Sequence, residues 1–91
     1  MTEKSHYQKL EILFEALCED LASLLPASEL AEVVEYLDHG EYGIALEDLC
    51  FIIEEAKRPI TQKIYGLIEQ LGILMEMKKD VWKNLEAFIG E

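Results

Sequence analysis

Apolar residues recur at steps of three and four along most of the chain, a pattern typical of helices that each bury one face. Ser5 opens the first such run, and Gln8 follows three residues later, which is the spacing of a capping box. Pro26 is expected to end this helix, because the residue before a proline is pushed away from helical geometry. The apolar positions of the run are Tyr7, Leu10, Phe14, Leu17, Cys18, Leu21, Leu24 and Leu25.

The next two runs predict a second and a third helix. Ser28 is placed to cap the second helix, and Gly40 is a natural left-handed stop for it. The third helix is expected from Tyr42 to Ala56, where Lys57-Arg58-Pro59 breaks the pattern. The positions expected to face inward are Leu30, Val33, Val34 and Leu37 in the second helix, and Ala45, Leu46, Leu49, Cys50, Ile52, Ile53 and Ala56 in the third.

The last third of the chain predicts a fourth helix capped by Thr61 and a short final helix capped by Asp80. Gly72 weakens the fourth helix by about 1 kcal/mol relative to alanine, which suggests a close approach of another element there. The inward positions are Ile64, Leu67, Ile68, Leu71, Leu74 and Met75, followed by Val81, Trp82, Leu85, Phe88 and Ile89. No alternating strand pattern is present. The 91 residues therefore predict one all-α domain, residues 1–91, built as a compact bundle of about five helices.

The distribution of charge is uneven. Thirteen acidic residues and no Lys or Arg lie between Leu10 and Ala56, and the whole chain has a formal net charge of −11. Glu11, Glu15 and Glu19 follow one another at i,i+4 spacing, where like charges destabilise a helix by about 0.2–0.5 kcal/mol per pair. An ordinary solvated face mixes signs, so we interpret this surface as one that attracts a basic partner. A plain solvated acidic face is the alternative interpretation.

Aromatic residues among these carboxylates indicate where a partner would bind, since a desolvated ring and steering charges are typical of protein–protein hot spots. Tyr36 falls off the inward stripe of its helix and is a candidate surface residue, whereas Tyr42 is equally compatible with packing beneath the turn. The candidate partner-binding residues are Glu32, Glu35, Tyr36, Asp38, His39, Glu41, Tyr42, Glu47 and Asp48.

Catalytic and cofactor chemistry is not indicated. Cys18 and Cys50 lie in apolar stripes and are expected to be buried thiols, and no metal-ligand spacing, phosphate loop or EF-hand loop occurs. We therefore expect neither an enzyme nor a cofactor. The low Lys and Arg content argues against direct binding to nucleic acid or to an anionic membrane. Without a signal-peptide pattern or an apolar run of membrane-spanning length, the expected location is the cytoplasm.

Residues 37–50 read Leu-Asp-His-Gly-Glu-Tyr-Gly-Ile-Ala-Leu-Glu-Asp-Leu-Cys. This block resembles the MafI-type family of small bacterial immunity proteins, and the similarity continues at residues 59–62, 65–72 and Trp82. It covers roughly residues 24–85 and departs from the family pattern at residues 53–57.

The resemblance implies a protein made beside a secreted polymorphic toxin, such as a contact-dependent inhibition toxin, whose C-terminal domain it binds and neutralises. Such toxins are often ribonucleases, and the EndoU type is the first expectation. A nuclease presents a cationic cleft to its substrate, which agrees with the acidic surface.

Two other functions remain open from the sequence. One is an acidic nucleic-acid mimic that regulates a host nucleic-acid-binding protein. The other is a helical oligomerisation module whose acids keep it in solution. The sequence leaves the oligomeric state open.

Overall fold

The computed structural model describes residues 5–90, and in this range the chain is all-α, as predicted. Two short 3-10 helices follow four α-helices. The α-helices are α1 (His6–Leu21), α2 (Ala27–Asp38), α3 (Tyr42–Ala56) and α4 (Gln62–Leu74), and the 3-10 helices are Lys79–Val81 and Lys83–Phe88.

The helices pack in two pairs, α1 against α4 and α2 against α3, and the C-terminal segment packs against α3 and α4. The Ile60 amide donates to the Phe88 carbonyl at 2.9 Å, and the Gly90 amide donates to the Ile60 carbonyl at 3.0 Å. These two bonds tie the end of the segment to the start of α4. Buried side chains from all four helices and the C-terminal segment form one apolar cluster.

Three predicted helix ends are confirmed. The Gln8 amide donates to Ser5 Oγ at 3.1 Å and the Ser5 amide to Gln8 Oε1 at 3.0 Å, which completes the capping box. Thr61 Oγ1 accepts from the Ile64 amide at 3.1 Å. Gly40 has a φ of 72° and reverses the chain after α2, a conformation that glycine adopts without steric cost.

The boundaries around Pro26 were predicted wrongly. α1 ends at Leu21, because the next turns tighten and the Leu24 and Leu25 amides both donate to the Leu21 carbonyl. α2 begins at Ala27 with Pro26 as its N-cap residue. The Pro26 carbonyl accepts from the Leu30 amide, so Ser28 lies inside the first turn and does not cap.

The final helix was also predicted wrongly. Residues 79–88 form two 3-10 helices in place of one α-helix, and Asp80 lies inside the first of them, which Lys78 precedes as N-cap. Trp82 separates the two, at φ −125° and ψ −6° outside helical geometry.

The inward stripes are largely confirmed, with two clear exceptions. Tyr7 is 62% exposed and Val34 is 42% exposed, although both were expected to face the core. Within the described residues, none of the helices has the length and apolar character needed to cross a membrane.

Candidate functional site

Five of the nine predicted partner-binding residues line one shallow concavity at the C-terminal end of α2. This α2-turn concavity has a volume of about 310 Å³ and is formed by Glu32, Glu35, Tyr36, His39 and Glu41. The three glutamates and His39 are exposed, whereas Tyr36 is half-buried and packs against the core. The structure therefore brings three carboxylates, an imidazole and an anchored aromatic ring to one small surface.

The backbone of the turn holds His39 and Glu41 in place. His39 Nδ1 donates to the Glu35 carbonyl at 2.8 Å. The amides of His39 and Glu41 both donate to the Tyr36 carbonyl, at 3.1 and 2.9 Å. The left-handed Gly40 between them lets the chain turn back so that Glu41 returns to Tyr36.

The same contacts act on the charge of His39. The hydrogen bond to the Glu35 carbonyl raises the pKa of His39 above its ordinary value. Desolvation lowers this pKa by less than the hydrogen bond raises it, and the carboxylates of Glu35, Glu41 and Asp38 raise it further. The concavity thus surrounds its own histidine with negative potential.

Tyr42 lies away from the concavity and joins α3 to α1. Its hydroxyl donates to Glu11 Oε2 at 3.0 Å. Its ring stacks on Phe14, with centroids 6.2 Å apart, and lies 5.7 Å from the ring of Tyr7. The hydrogen bond to the Glu11 carboxylate raises the pKa of Tyr42, because it favours the protonated phenol. These contacts favour the packing interpretation of Tyr42 over the surface one.

The three remaining candidates are also separate from the concavity. Asp38 faces a groove between α1 and α2. Glu47 lines a depression between α3 and the C-terminal segment, together with Phe51 and Asp80. Asp48 is half-buried, and its Oδ2 has no hydrogen-bond partner among the described residues. The nine candidates thus do not form one continuous site.

The α1–α2 groove, the concave surface of about 790 Å³ on which Asp38 lies, was not predicted from the sequence. Ile12 and Val34 are 47% and 42% exposed on its two sides. The residues that line it are Gln8, Glu11, Ile12, Phe14, Glu15, Cys18, Glu19, Val34, Leu37 and Asp38. The i,i+4 spacing of the α1 glutamates indicated one side of the groove in the sequence. Val34, on the other side, could not be recognised as a surface residue, because its spacing fits the inward stripe of α2.

No Lys or Arg of residues 5–90 lines the concavity or the groove. The ion pairs within residues 5–90 are Lys63–Asp20 at 3.1 Å and Lys83–Asp80 at 3.9 Å, and both lie elsewhere. The carboxylates that line the two surfaces therefore have no cationic partner in the described part of the chain.

The thiols and carboxylates were also compared with the arrangement that a metal centre needs. No group of three or more His, Cys, Asp and Glu residues is arranged to hold a metal ion in residues 5–90. Both cysteines are free: Cys50 is buried, as predicted, but Cys18 is only half-buried. Burial raises the pKa of Cys50 to about 12 and also raises that of Cys18. What the site offers is negative charge, apolar surface and a few hydrogen-bonding groups.

No family model, no curated protein and no solved structure matches the chain. The resemblance to MafI-type immunity proteins stays a prediction from the motif residues.

Proposed function

We propose that this chain is an immunity protein that binds and neutralises a basic toxin domain. The partner would be the C-terminal domain of a contact-dependent inhibition or polymorphic toxin, with a ribonuclease of the EndoU type favoured. The observation that carries this proposal is the α2-turn concavity, which Glu32, Glu35 and Glu41 line together with Tyr36 and His39 and to which no Lys or Arg of residues 5–90 contributes. The MafI-like motif supports it, since His39 and Glu41 belong to that motif.

Occlusion of a cationic cleft is the mechanism that fits this surface. A nuclease must present Lys and Arg side chains to the phosphate backbone of its substrate. The three glutamates of the concavity can pair with such side chains in place of phosphates. Tyr36 is half-buried and packs against the core, so its ring has less side-chain entropy to lose than a fully exposed ring when a partner covers it.

Long-range electrostatics would make the association fast. The chain carries a net charge of −11, and its central region from Leu10 to Ala56 contains no Lys or Arg. Complementary fields raise association rates by roughly 10–1000-fold at low ionic strength. Speed matters for an inhibitor of an enzyme whose every turnover damages the cell. The inhibitor itself needs no catalytic group and no cofactor, because covering the cleft excludes the substrate.

A growth-protection assay tests the proposal. The chain is co-expressed in bacteria with the toxin domain encoded upstream of its gene, and survival is compared with that of cells expressing the toxin alone. Survival together with a purified complex is the expected result. Cell death, with no complex detected by calorimetry, would overturn the proposal. A pull-down that instead recovers a host nucleic-acid-binding protein would favour the nucleic-acid mimic.

A further inference from the structure

We propose that the α1–α2 groove is a second docking surface, which receives an amphipathic helix carrying an apolar ridge flanked by Lys or Arg. This inference rests on the proposed function in one respect, namely that the partner is a basic protein. The groove lies on a different face of the molecule from the α2-turn concavity and has a different chemistry.

The separation from the concavity follows from helix geometry. At 100° per residue, Val34, Leu37 and Asp38 project from one side of α2, and Glu32, Glu35, Tyr36 and His39 from the other. The first group lines the groove and the second lines the concavity. A partner would have to straddle α2 to contact both, so each surface can be altered without the other.

The groove is open because α1 and α2 do not pack closely against each other. Each has its main packing partner elsewhere, α4 for α1 and α3 for α2. Ile12 and Val34 remain nearly half-exposed on either side, above Phe14 and a half-buried Cys18. Burial of such apolar surface contributes about 25 cal/mol per Å². A third helix laid between α1 and α2 would cover both side chains.

The acids along the groove select a basic occupant. Glu11, Glu15 and Glu19 lie one helical turn apart on α1, about 6 Å per step, and Asp38 lies on the α2 side. A docked helix with Lys or Arg at i,i+4 repeats this spacing, so each of its cations can lie beside one glutamate. A second copy of this chain, with its net charge of −11, would be repelled.

The test uses a designed probe in place of the toxin. The probe is a synthetic peptide of about 18 residues, five helical turns, with Leu along one stripe and Lys at i,i+4 on both flanks. A peptide of the same composition in scrambled order is the control for charge alone. Calorimetry is expected to show binding of the amphipathic peptide at least about tenfold tighter than that of the scrambled peptide. Equal affinities would overturn the proposal.

Variants then locate the binding to the groove. The double substitution Ile12→Ser with Val34→Ser should weaken peptide binding about tenfold, which corresponds to about 1.4 kcal/mol. Ile73→Ser is the matched control, because Ile73 is 62% exposed on α4 and lines neither surface. Glu15→Lys should likewise weaken binding, whereas Glu55→Lys, on an exposed position of α3 outside the groove, should not. Unchanged affinity in the Ile12/Val34 variant, with its helical circular dichroism intact, would overturn the proposal.

Cys18 supplies an independent footprint. It lines the groove, so the bound peptide should slow its alkylation by iodoacetamide, while the scrambled peptide should not. An unchanged alkylation rate at a saturating peptide concentration would contradict groove binding. Self-association in sedimentation that Val34→Ser abolishes would assign the groove to a second copy and would also overturn the proposal.

These experiments contain no toxin, so their failure is distinguishable from failure of the proposed function. If the groove binds neither peptide but the protein still protects cells, only the docking proposal is contradicted. If the groove binds the amphipathic peptide but the protein gives no protection, only the proposed immunity function is contradicted.

Discussion

The indole ring of Trp82 lies against Gly72 in the space where the Cβ of any other residue would stand. Ring atoms Cε3, Cζ3 and Cη2 would all overlap a Cβ at Gly72. Trp82 is 3% exposed, and the Met77 amide donates to the Gly72 carbonyl at 2.9 Å just before the chain turns toward the tryptophan. This contact holds the C-terminal segment on α4.

Substitution of Gly72 by alanine should therefore destabilise the protein, although alanine is the better helix former. The gain in helix propensity is about 1 kcal/mol, and overpacking of a buried site costs about 1–3 kcal/mol. Gly66→Ala is the matched control: it lies in the same helix, and apart from its chain neighbours and the backbone of that helix no atom of residues 5–90 lies within 4 Å of the position that its Cβ would take. Urea unfolding followed by Trp82 fluorescence should show a lower midpoint for Gly72→Ala and an equal or higher one for Gly66→Ala. A Gly72→Ala midpoint at or above wild type would contradict the close contact.

Tyr42 should behave as a packing residue. Tyr42→Phe keeps the ring contacts with Phe14 and Tyr7 and removes only the exposed hydrogen bond to Glu11, so it should cost at most about 1 kcal/mol. Tyr42→Ala also removes the ring contacts and should cost about 2 kcal/mol. Urea unfolding measures both. An alanine variant with wild-type stability and impaired partner binding would instead place Tyr42 in the interface.

His39 should make stability depend on pH. Its pKa is raised in the folded protein, above the ordinary value of 6.5 that applies when the chain is unfolded. The folded protein therefore favours the protonated imidazole of His39, which stabilises the fold. This contribution is fully present below about pH 6.5 and is lost as the pH rises through the folded-state pKa. Denaturation midpoints between about pH 5.5 and 8.5 should fall with pH more steeply in wild type than in His39→Gln.

A magnetic resonance titration checks the same point directly. The His39 ring protons should titrate with a midpoint above 6.5. His6→Gln serves as the control variant, since it removes the other histidine and should leave the His39 curve in place. A His39 midpoint at or below 6.5 would contradict the hydrogen bond to the Glu35 carbonyl.

The two cysteines should differ in reactivity. Cys50 is buried with a pKa of about 12, whereas Cys18 is half-buried and opens into the groove. Because the thiolate is the reactive form, iodoacetamide at about pH 8.5 should alkylate Cys18 in the folded protein and leave Cys50 unmodified. Mass spectrometry of peptides gives the ratio, and unfolding in urea should make both react. Equal labelling without urea would contradict the burial of Cys50.

Most of the fold followed from local rules. Capping at Ser5 and Thr61 and the end of α2 at Gly40 depend on residues within a few positions of each other in the sequence, and all three were predicted. The end of α1 at Leu21 was not predicted correctly. Pro26 disfavours helical geometry only at the residue before it, Leu25, and does not determine the conformation of the turn that precedes that residue. Gly72 signalled a close approach, but its partner Trp82 could be identified only from the tertiary structure.

The candidate site was predictable only in part. Residues on one face of α2 came together as the concavity because their spacing along a single helix fixes their direction. Glu47 and Asp48 follow in the next helix, whose rotation about its own axis is set by core packing and directs them elsewhere. The α1–α2 groove could not be predicted from the sequence, because it exists only where α1 and α2 do not pack closely against each other. No local sequence pattern indicates which helices pack together.

The most direct test of the central claim compares two charge reversals for binding to the cognate toxin domain. Glu35→Lys with Glu41→Lys alters the concavity, whereas Glu55→Lys with Glu86→Lys makes the same change in net charge at exposed positions outside it. Calorimetry and stopped-flow association should show that the first pair weakens binding at least about 100-fold, or about 2.7 kcal/mol, while the second mainly slows association at low salt. Equal effects of the two pairs would show that only net charge matters, and would contradict a binding site at the α2-turn concavity.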